Sequence, residues 1–170
     1  MRNGLITLFV LLVTFSGAAQ VNVPAADYGK RVTSLMKEYS FHHDFQVINL
    51  GRFGLSLVKA AIRRSDDKDA LELLDLMKDV KQVSIASFAD CDPEVKSGFS
   101  SRLSKVLVKD FLLVEAKDAG EKIQVYAIPS DDGVDVSDLI ISAPRSGAVI
   151  CVRGRINVQD VAAYLESKSK

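Results

Sequence analysis

The chain has 170 residues, of which 48% are hydrophobic and 26% are charged. This composition is typical of a packed globular domain and excludes a disordered chain. The 22 basic and 22 acidic residues cancel, so the charge gives no indication of a nucleic-acid partner, and no polybasic run indicates an anionic membrane.

The N-terminal residues 1–19 have the layout of a cleavable secretory signal. Arg2 supplies a positive start, an uncharged apolar run covers 5–15, and positions 16–19 are small. The run is well short of the ~20 residues that span a bilayer as a helix, and no cysteine follows it for lipid attachment. We therefore expect a periplasmic or secreted protein that begins near Gln20 and has no stable membrane span after cleavage.

The remaining residues, 20–170, are enough for one domain with a full core. Apolar spacing predicts a helix over 25–40 and a strand over 44–50. A short helix is expected over 55–64, after Gly51 and Gly54. A further helix is expected after Ser65, with its apolar residues facing the core: Leu71, Leu74, Met77 and Val80.

A strand is predicted over 81–88, followed by a helix that Asp92, Pro93 and Glu94 begin and that ends near Val108. Two strand pairs follow, and each has turn residues between its strands. The first pair covers 110–117 and 121–128, and the second covers 136–143 and 147–153. Asn157 is expected to cap a last helix, with Asp160 in a capping-box-like position.

This order of elements predicts an α+β fold, as a two-layer sandwich with helices packed on one face of the sheet. The consecutive hairpins predict antiparallel pairing in the C-terminal half. The earlier strand–helix–strand units favour some parallel neighbours, so the expected sheet is mixed and mostly antiparallel.

Cys91 and Cys151 are the two cysteines of the chain. Cys91 lies between a predicted strand and a helix cap, and Cys151 lies inside an apolar strand. Two separate, partly buried thiols are the first interpretation, and a disulfide in an oxidising compartment is the alternative. No CxxC motif is present to indicate a catalytic thiol.

Arg145, Arg153 and Arg155 lie near the second predicted hairpin and could form an anion-binding rim. Arginines near strand ends also serve to protect sheet edges from aggregation, and that interpretation is the simpler one.

His42 and His43 are adjacent, so their side chains point apart in a strand, and exposed polar residues are the simpler interpretation than a metal site. An acidic cluster follows the first hairpin, but it lacks the spacing of an EF-hand and is expected to be a solvated turn. Its members are Asp131, Asp132, Asp135 and Asp138.

No nucleophile elbow, metalloprotease helix or phosphate-binding glycine loop occurs in the sequence. We therefore expect no catalytic residues, no metal and no cofactor.

The layout over residues 28–165 resembles the bacterial domain-of-unknown-function 4252 family, whose members carry export signals. The resemblance rests on the segments VINLGRFGLSLVKAAIR, KDVKQVSIASF, DFLLVEAKDAGEKIQVYAI, LIISA and AVICVRGRI. Many members look like lipoproteins, whereas this chain lacks the lipid-attachment cysteine. The resemblance implies an exported α+β domain and gives no site residues.

The leading functional hypothesis is an exported, non-enzymatic module that binds an envelope protein or a small ligand. The first alternative is a small hydrolase-like enzyme with a carboxylate site that no motif indicates. The second alternative is a thiol or disulfide sensor that uses the two cysteines.

Overall fold

A computed structural model describes residues 27–64, 71, 76–118, 120–131 and 133–160, without the side chains of 118 and 121. The expected signal over 1–19 lies outside these residues. Most of the helix predicted after Ser65 and most of the last predicted helix also lie outside them.

The described residues form helices and strands in one continuous order. The helices are α1 (Tyr28–Tyr39), α2 (Arg52–Arg63) and α3 (Pro93–Val106), and a 3₁₀ turn covers Lys109–Phe111. The strands are β1 (Gln46–Leu50), β2 (Val80–Ser87), β3 (Leu112–Asp118), β4 (Glu121–Pro129), β5 (Asp135–Ala143) and β6 (Ala148–Asn157). Residues 158–160 are helical, and the Asp160 N–H donates to Asn157 Oδ1 at 2.9 Å, which confirms the predicted cap.

The six strands form one sheet in the order β1-β2-β6-β5-β4-β3, which confirms the α+β fold. Every neighbouring pair is antiparallel, so the prediction of parallel neighbours is wrong. The chain leaves β1 at Leu50 and resumes β2 at Val80, and Leu50 pairs with Val83. Because the connection returns to the end of the sheet that it left, the two strands run in opposite directions.

Three predicted boundaries are also corrected. Gly54 lies inside α2, which begins at Arg52 with Gly51 as its N-cap. Val80 does not end a helix but begins β2, where it pairs with Gly154. β6 continues to Asn157, past the predicted end, because its C-terminal half pairs with both β2 and β5.

Both predicted hairpins are confirmed, and glycines with positive φ occupy their turns. Gly120 has φ +84° between β3 and β4, and Gly147 has φ +62° between β5 and β6. At Gly147 a Cβ would come within 2.5 Å of the Ala89 backbone, so glycine is required there for space as well as for conformation.

The core lies between the sheet and the pair of helices α1 and α3. Four aromatic rings form its centre, with centroid separations between 4.8 and 5.8 Å: Tyr39, Phe45, Phe88 and Phe99. Ile140, Val149 and Cys151 supply the sheet side of the core and are fully buried. At about 25 cal/mol per Å² of apolar surface, such burial is the main stabilising contribution of the fold.

The helix α2 contacts β1 and β2 and buries Leu55. Since α1 and α3 contact each other and α1 contacts β5 and β6, α2 lies at the β1 side of the sheet. The two-layer sandwich with all helices on one face stays a prediction. Among the described residues, no helix is long and apolar enough to cross a bilayer.

Candidate functional site: a basic cleft at the end of the central strands

An open cleft of about 680 Å³ lies where the start of β2 meets the C-terminal half of β6. The start of α2 and a bulged part of β5 complete its wall. Its lining is Gly51, Arg52, Asp79, Lys81, Gln82, Ser137, Asp138, Arg153, Gly154 and Arg155.

Irregular pairing of the central strands shapes this cleft. The register of β2 against β6 shifts between Val80 and Gln82, and that of β5 against β6 shifts between Ser137 and Leu139. Bulges of this kind bend a strand and redirect its side chains. Residues 81, 82 and 138 lie at these two register shifts, and all three line the cleft.

Gly154 allows the two strands to approach closely at the cleft. Its φ is +126°, and a Cβ would lie 2.4 Å from the Asp79 carbonyl oxygen and 2.8 Å from the Lys81 nitrogen. Both neighbours are backbone atoms, so only glycine fits between them. The Arg155 N–H donates to the same Asp79 carbonyl at 3.3 Å, which fixes the direction of the C-terminal residues of β6.

Arg153 is the most enclosed basic group of the cleft, with its side chain 25% exposed. Its Nη1 donates to Gln82 Oε1 at 2.9 Å. Its Nε is buried and has no hydrogen-bond partner in the described part of the chain, while the nearest carboxylate oxygen, on Asp138, is 3.9 Å away. A buried donor without a hydrogen bond is costly, and the ion pair with Asp138 offsets part of that cost.

Asp138 connects the cleft to the first helix. Its Oδ2 accepts the Gly29 N–H at 3.0 Å, so the carboxylate sits at the positive end of the α1 dipole. A Cβ on Gly29 would lie 2.8 Å from Asp138 Cγ and 2.9 Å from Arg153 Cγ, which explains why α1 has a glycine at this point. Asp138 itself has φ +51°, a conformation that aspartate tolerates better than most residues.

A row of polar side chains continues from Arg153 towards β1. Gln82 Nε2 donates to Asn49 Oδ1 at 2.9 Å, and the Ser84 hydroxyl, which is buried, donates to the same oxygen at 3.3 Å. These bonds satisfy polar groups that the sheet would otherwise bury unpaired. They also hold the Gln82 amide in the orientation in which its oxygen accepts from Arg153.

The charge of the lining is positive. Arg52, Lys81, Arg153 and Arg155 are basic, while Asp79 and Asp138 are acidic, so four positive charges minus two negative ones leave a formal charge of +2. Arg155 Nη1 also lies 3.5 Å from Asp135 Oδ2. Arginine and lysine in a partly enclosed space are suited to carboxylate and phosphate groups.

The structure separates the three arginines of the predicted rim. Arg153 and Arg155 line the cleft, whereas Arg145 lies in the β5–β6 turn at the other end of the hairpin, where its Nη1 donates to the Gly120 carbonyl oxygen. The fold adds two basic residues that no sequence pattern indicates, Arg52 at the start of α2 and Lys81 in β2. No local motif marks them, because β2 and β6 are far apart in the chain.

Cys91 and Cys151 are both buried, and both thiols are free. Burial raises the pKa of Cys151 to about 12; burial, followed by the nearby Asp44 carboxylate, raises that of Cys91. Each thiol is therefore protonated at neutral pH, and a protonated thiol is a poor nucleophile and metal ligand.

The histidines and the acidic cluster do not converge on the cleft as a set. His42 and His43 are exposed in the α1–β1 connection, and His43 Nδ1 lies 2.5 Å from Asp44 Oδ2. Of the acidic cluster, Asp138 lines the cleft and Asp135 pairs with Arg155, while Asp132 lies outside the described residues. Within the described ranges, no three His, Cys, Asp or Glu side chains are placed to hold a metal ion.

Comparison with known families gives a match over most of the chain. Residues 39–164 match the sequence profile of the family described as Domain of unknown function (DUF4252). The chain belongs to the DUF4252 family. The match covers most of the chain and begins inside α1, so β1 to β6 and the cleft all lie within the region that defines the family. Searches of curated proteins and of solved structures found no match.

Proposed function

We propose that this DUF4252 domain is an exported binding protein whose cleft holds a small anionic ligand, a carboxylate or a phosphate compound, without transforming it. The observation that carries the proposal is the position of Arg153. Its side chain is three-quarters enclosed, is held in place by Gln82, and lines the cleft together with Arg52, Lys81 and Arg155. A guanidinium has five N–H donors, and a ligand oxygen would accept from the Nη donors that Gln82 does not use.

The other basic residues support the same ligand class. Arg52, Lys81 and Arg155 border the space around Arg153, so an anion there would meet several donors of like charge. Hydrogen bonds to charged groups contribute about 1.5–3 kcal/mol each, and two or three of them would give a specific small-molecule site. The volume of about 680 Å³ is within the range of small-ligand pockets.

The first alternative is a hydrolase-like enzyme, which would need two carboxylates close together in the cleft. Asp79 and Asp138 both line the cleft. However, Asp138 accepts the Gly29 N–H and lies beside Arg153, which supports a role in positioning α1 and the guanidinium. The second alternative, a thiol sensor, is not favoured because both thiols are buried and protonated.

Calorimetric titration with phosphate, citrate and neutral glycerol tests the binding proposal. We expect the two anions to bind with heat release and to raise the unfolding temperature, while glycerol at the same concentration does neither. In Arg155→Gln and Lys81→Gln the affinity for the anions should fall about tenfold or more, since each removes one charge-assisted contact.

Arg145→Gln is the matched control, because it removes the same charge at the far end of the hairpin. Its affinity should equal that of the unaltered protein. Absence of anion binding at millimolar concentration, or equal losses in Arg145→Gln and Arg155→Gln, would contradict the proposal.

Export is tested separately by mass spectrometry of the protein recovered from cell fractions. We expect a chain that begins near Gln20 in the envelope or medium. Recovery from the cell interior with Arg2 still attached would contradict the proposed location, and it would leave the binding result standing.

A further inference from the structure

The helix α2 exposes apolar side chains that the core does not use. Phe53 is 79% exposed and Leu57 is 58% exposed, and at a spacing of four residues they lie one above the other. Ala60 and Ala61 are exposed and continue this stripe by a further turn. Leu55, on the opposite side of the helix, is the residue that α2 buries. A contiguous exposed apolar surface indicates an interaction site, whereas scattered exposed apolar residues do not.

Basic residues lie beside this apolar stripe. Arg52, Lys59 and Arg63 are separated by seven and four residues, which places them along one flank of the helix, and Arg64 follows at its C-cap. Residues 51–64 contain four basic residues and no acidic one. Lys59 Nζ donates to the Met77 carbonyl oxygen at 2.6 Å, while the three arginines are exposed.

The first strand also exposes an apolar side chain. Leu50 lies against Gly54, so β1 ends directly beside α2. Ile48 is on the same face of β1 as Leu50, since alternate residues of a strand share a face, and it is 57% exposed. The apolar stripe of α2 is called the α2 surface below.

We infer that the α2 surface docks on the surface of a membrane that contains anionic phospholipid. A helix with Phe and Leu on one side and arginines beside them lies in the membrane interface, with its apolar side among the acyl chains and its basic groups at the phosphates. This is peripheral attachment, which differs from a membrane span. The charge also argues against a second copy of the chain as the occupant, because pairing two α2 surfaces would bring the arginines of both copies together.

The basic residues and the apolar side chains contribute separately to the affinity of the α2 surface for the membrane. An arginine near an anionic membrane contributes about 1 kcal/mol, which is about a fivefold change in partitioning. The double variant Arg63→Gln/Arg64→Gln should therefore bind anionic vesicles about 25-fold more weakly. Phe53→Ser/Leu57→Ser should bind at least tenfold more weakly. In the unaltered protein both apolar side chains move from water into the membrane, and serine gains no free energy from that transfer.

The test is sedimentation with vesicles of phosphatidylcholine alone or with 30% phosphatidylglycerol. The protein is purified as the producing cell processes it, and its N-terminus is determined by mass spectrometry. This shows whether a leader is still attached, so that binding of the leader to vesicles is not attributed to α2. We expect binding to the anionic vesicles, weakening as salt rises, and at least tenfold less binding to the neutral ones. Phe41→Ser is the matched control, because Phe41 is 86% exposed but lies in the α1–β1 connection, and it should bind normally.

Three results would overturn the inference. The first is no binding to anionic vesicles. The second is equal binding by Phe53→Ser/Leu57→Ser and the unaltered protein while both retain the same far-ultraviolet circular dichroism. The third is a dimer in sedimentation equilibrium that Phe53→Ser/Leu57→Ser abolishes, since this would assign the α2 surface to a second copy.

Discussion

Gly154 offers the sharpest test of how the cleft is built. At φ +126° an alanine would be strained by about 1–3 kcal/mol, and its Cβ would meet the Asp79 carbonyl oxygen at 2.4 Å and the Val80 Cα at 2.8 Å. Because these atoms belong to the backbone, relief requires β2 and β6 to separate, which adds about 1–3 kcal/mol as in other overpacked sites. We expect Gly154→Ala to lower the free energy of unfolding by about 4 kcal/mol.

Two other glycines separate the conformational cost from the steric cost. Gly133 has φ +69° and a Cβ there meets no described atom within 4 Å, so Gly133→Ala should cost about 1–2 kcal/mol from conformation alone. Gly51 has φ −76° and equally open surroundings, so Gly51→Ala should change stability by less than about 0.5 kcal/mol.

Urea unfolding followed by circular dichroism gives the three free energies on one scale. The expected order of destabilisation is Gly154→Ala, then Gly133→Ala, then Gly51→Ala. If Gly154→Ala lost no more stability than Gly133→Ala, the close approach of the β6 backbone to Asp79 would be refuted. Gly154→Ala should also weaken anion binding, since it moves the strands that place Arg153 and Lys81.

Three further predictions concern the core, one ion pair and one thiol. Phe99→Ala should lower the free energy of unfolding by about 3–5 kcal/mol in urea titrations, because Phe99 is fully buried; the exposed Phe41→Ala should change it by less than about 0.5 kcal/mol, and similar losses would refute the assigned core. The hydrogen bond from Arg102 lowers the pKa of Glu38, so this pair stabilises the fold above pH 4.5 and the contribution is lost as the pH falls further. Titration by nuclear magnetic resonance should show the Glu38 pKa rising in Arg102→Gln, and an unchanged value would contradict the pairing. Cys151 should react with a thiol reagent only after denaturation, and rapid labelling of the native protein would contradict its burial.

Local sequence patterns predicted most of the elements correctly. The tyrosine and valine spacing of α1, the Asp92–Pro93 start of α3 and the Gly120 turn each depend on neighbours a few residues apart. Such short-range preferences act in the same way in any fold. Asn157 was assigned as a cap for the same reason, and its side chain accepts the Asp160 N–H.

The errors occurred where a distant strand decided the local structure. Val80 continues a helical apolar pattern in the sequence, yet it pairs with Gly154 as the first residue of β2. A strand–helix–strand order favours parallel neighbours, but it is equally compatible with a chain that returns to the same end of the sheet. In both cases pairing with a partner strand outweighed the local preference.

The cleft shows the same division between local and distant information. The sequence predicts one anion-binding rim from Arg145, Arg153 and Arg155. Arg153 and Arg155 are close together in the chain and share the cleft, whereas Arg145 lies at the opposite end of the hairpin. Arg52 and Lys81 carry no recognisable motif, and they join the cleft because β1, β2 and β6 lie side by side.

Composition and residues close together in the chain are enough to predict α1, α3, the two hairpins, the charge balance and the resemblance to the DUF4252 family. The tertiary structure decided which charges share a cleft and which apolar side chains of α2 stay in solvent. The physical reason is that a side chain's partners depend on strand order and register, and these are set by burying the whole core at once rather than by any single segment.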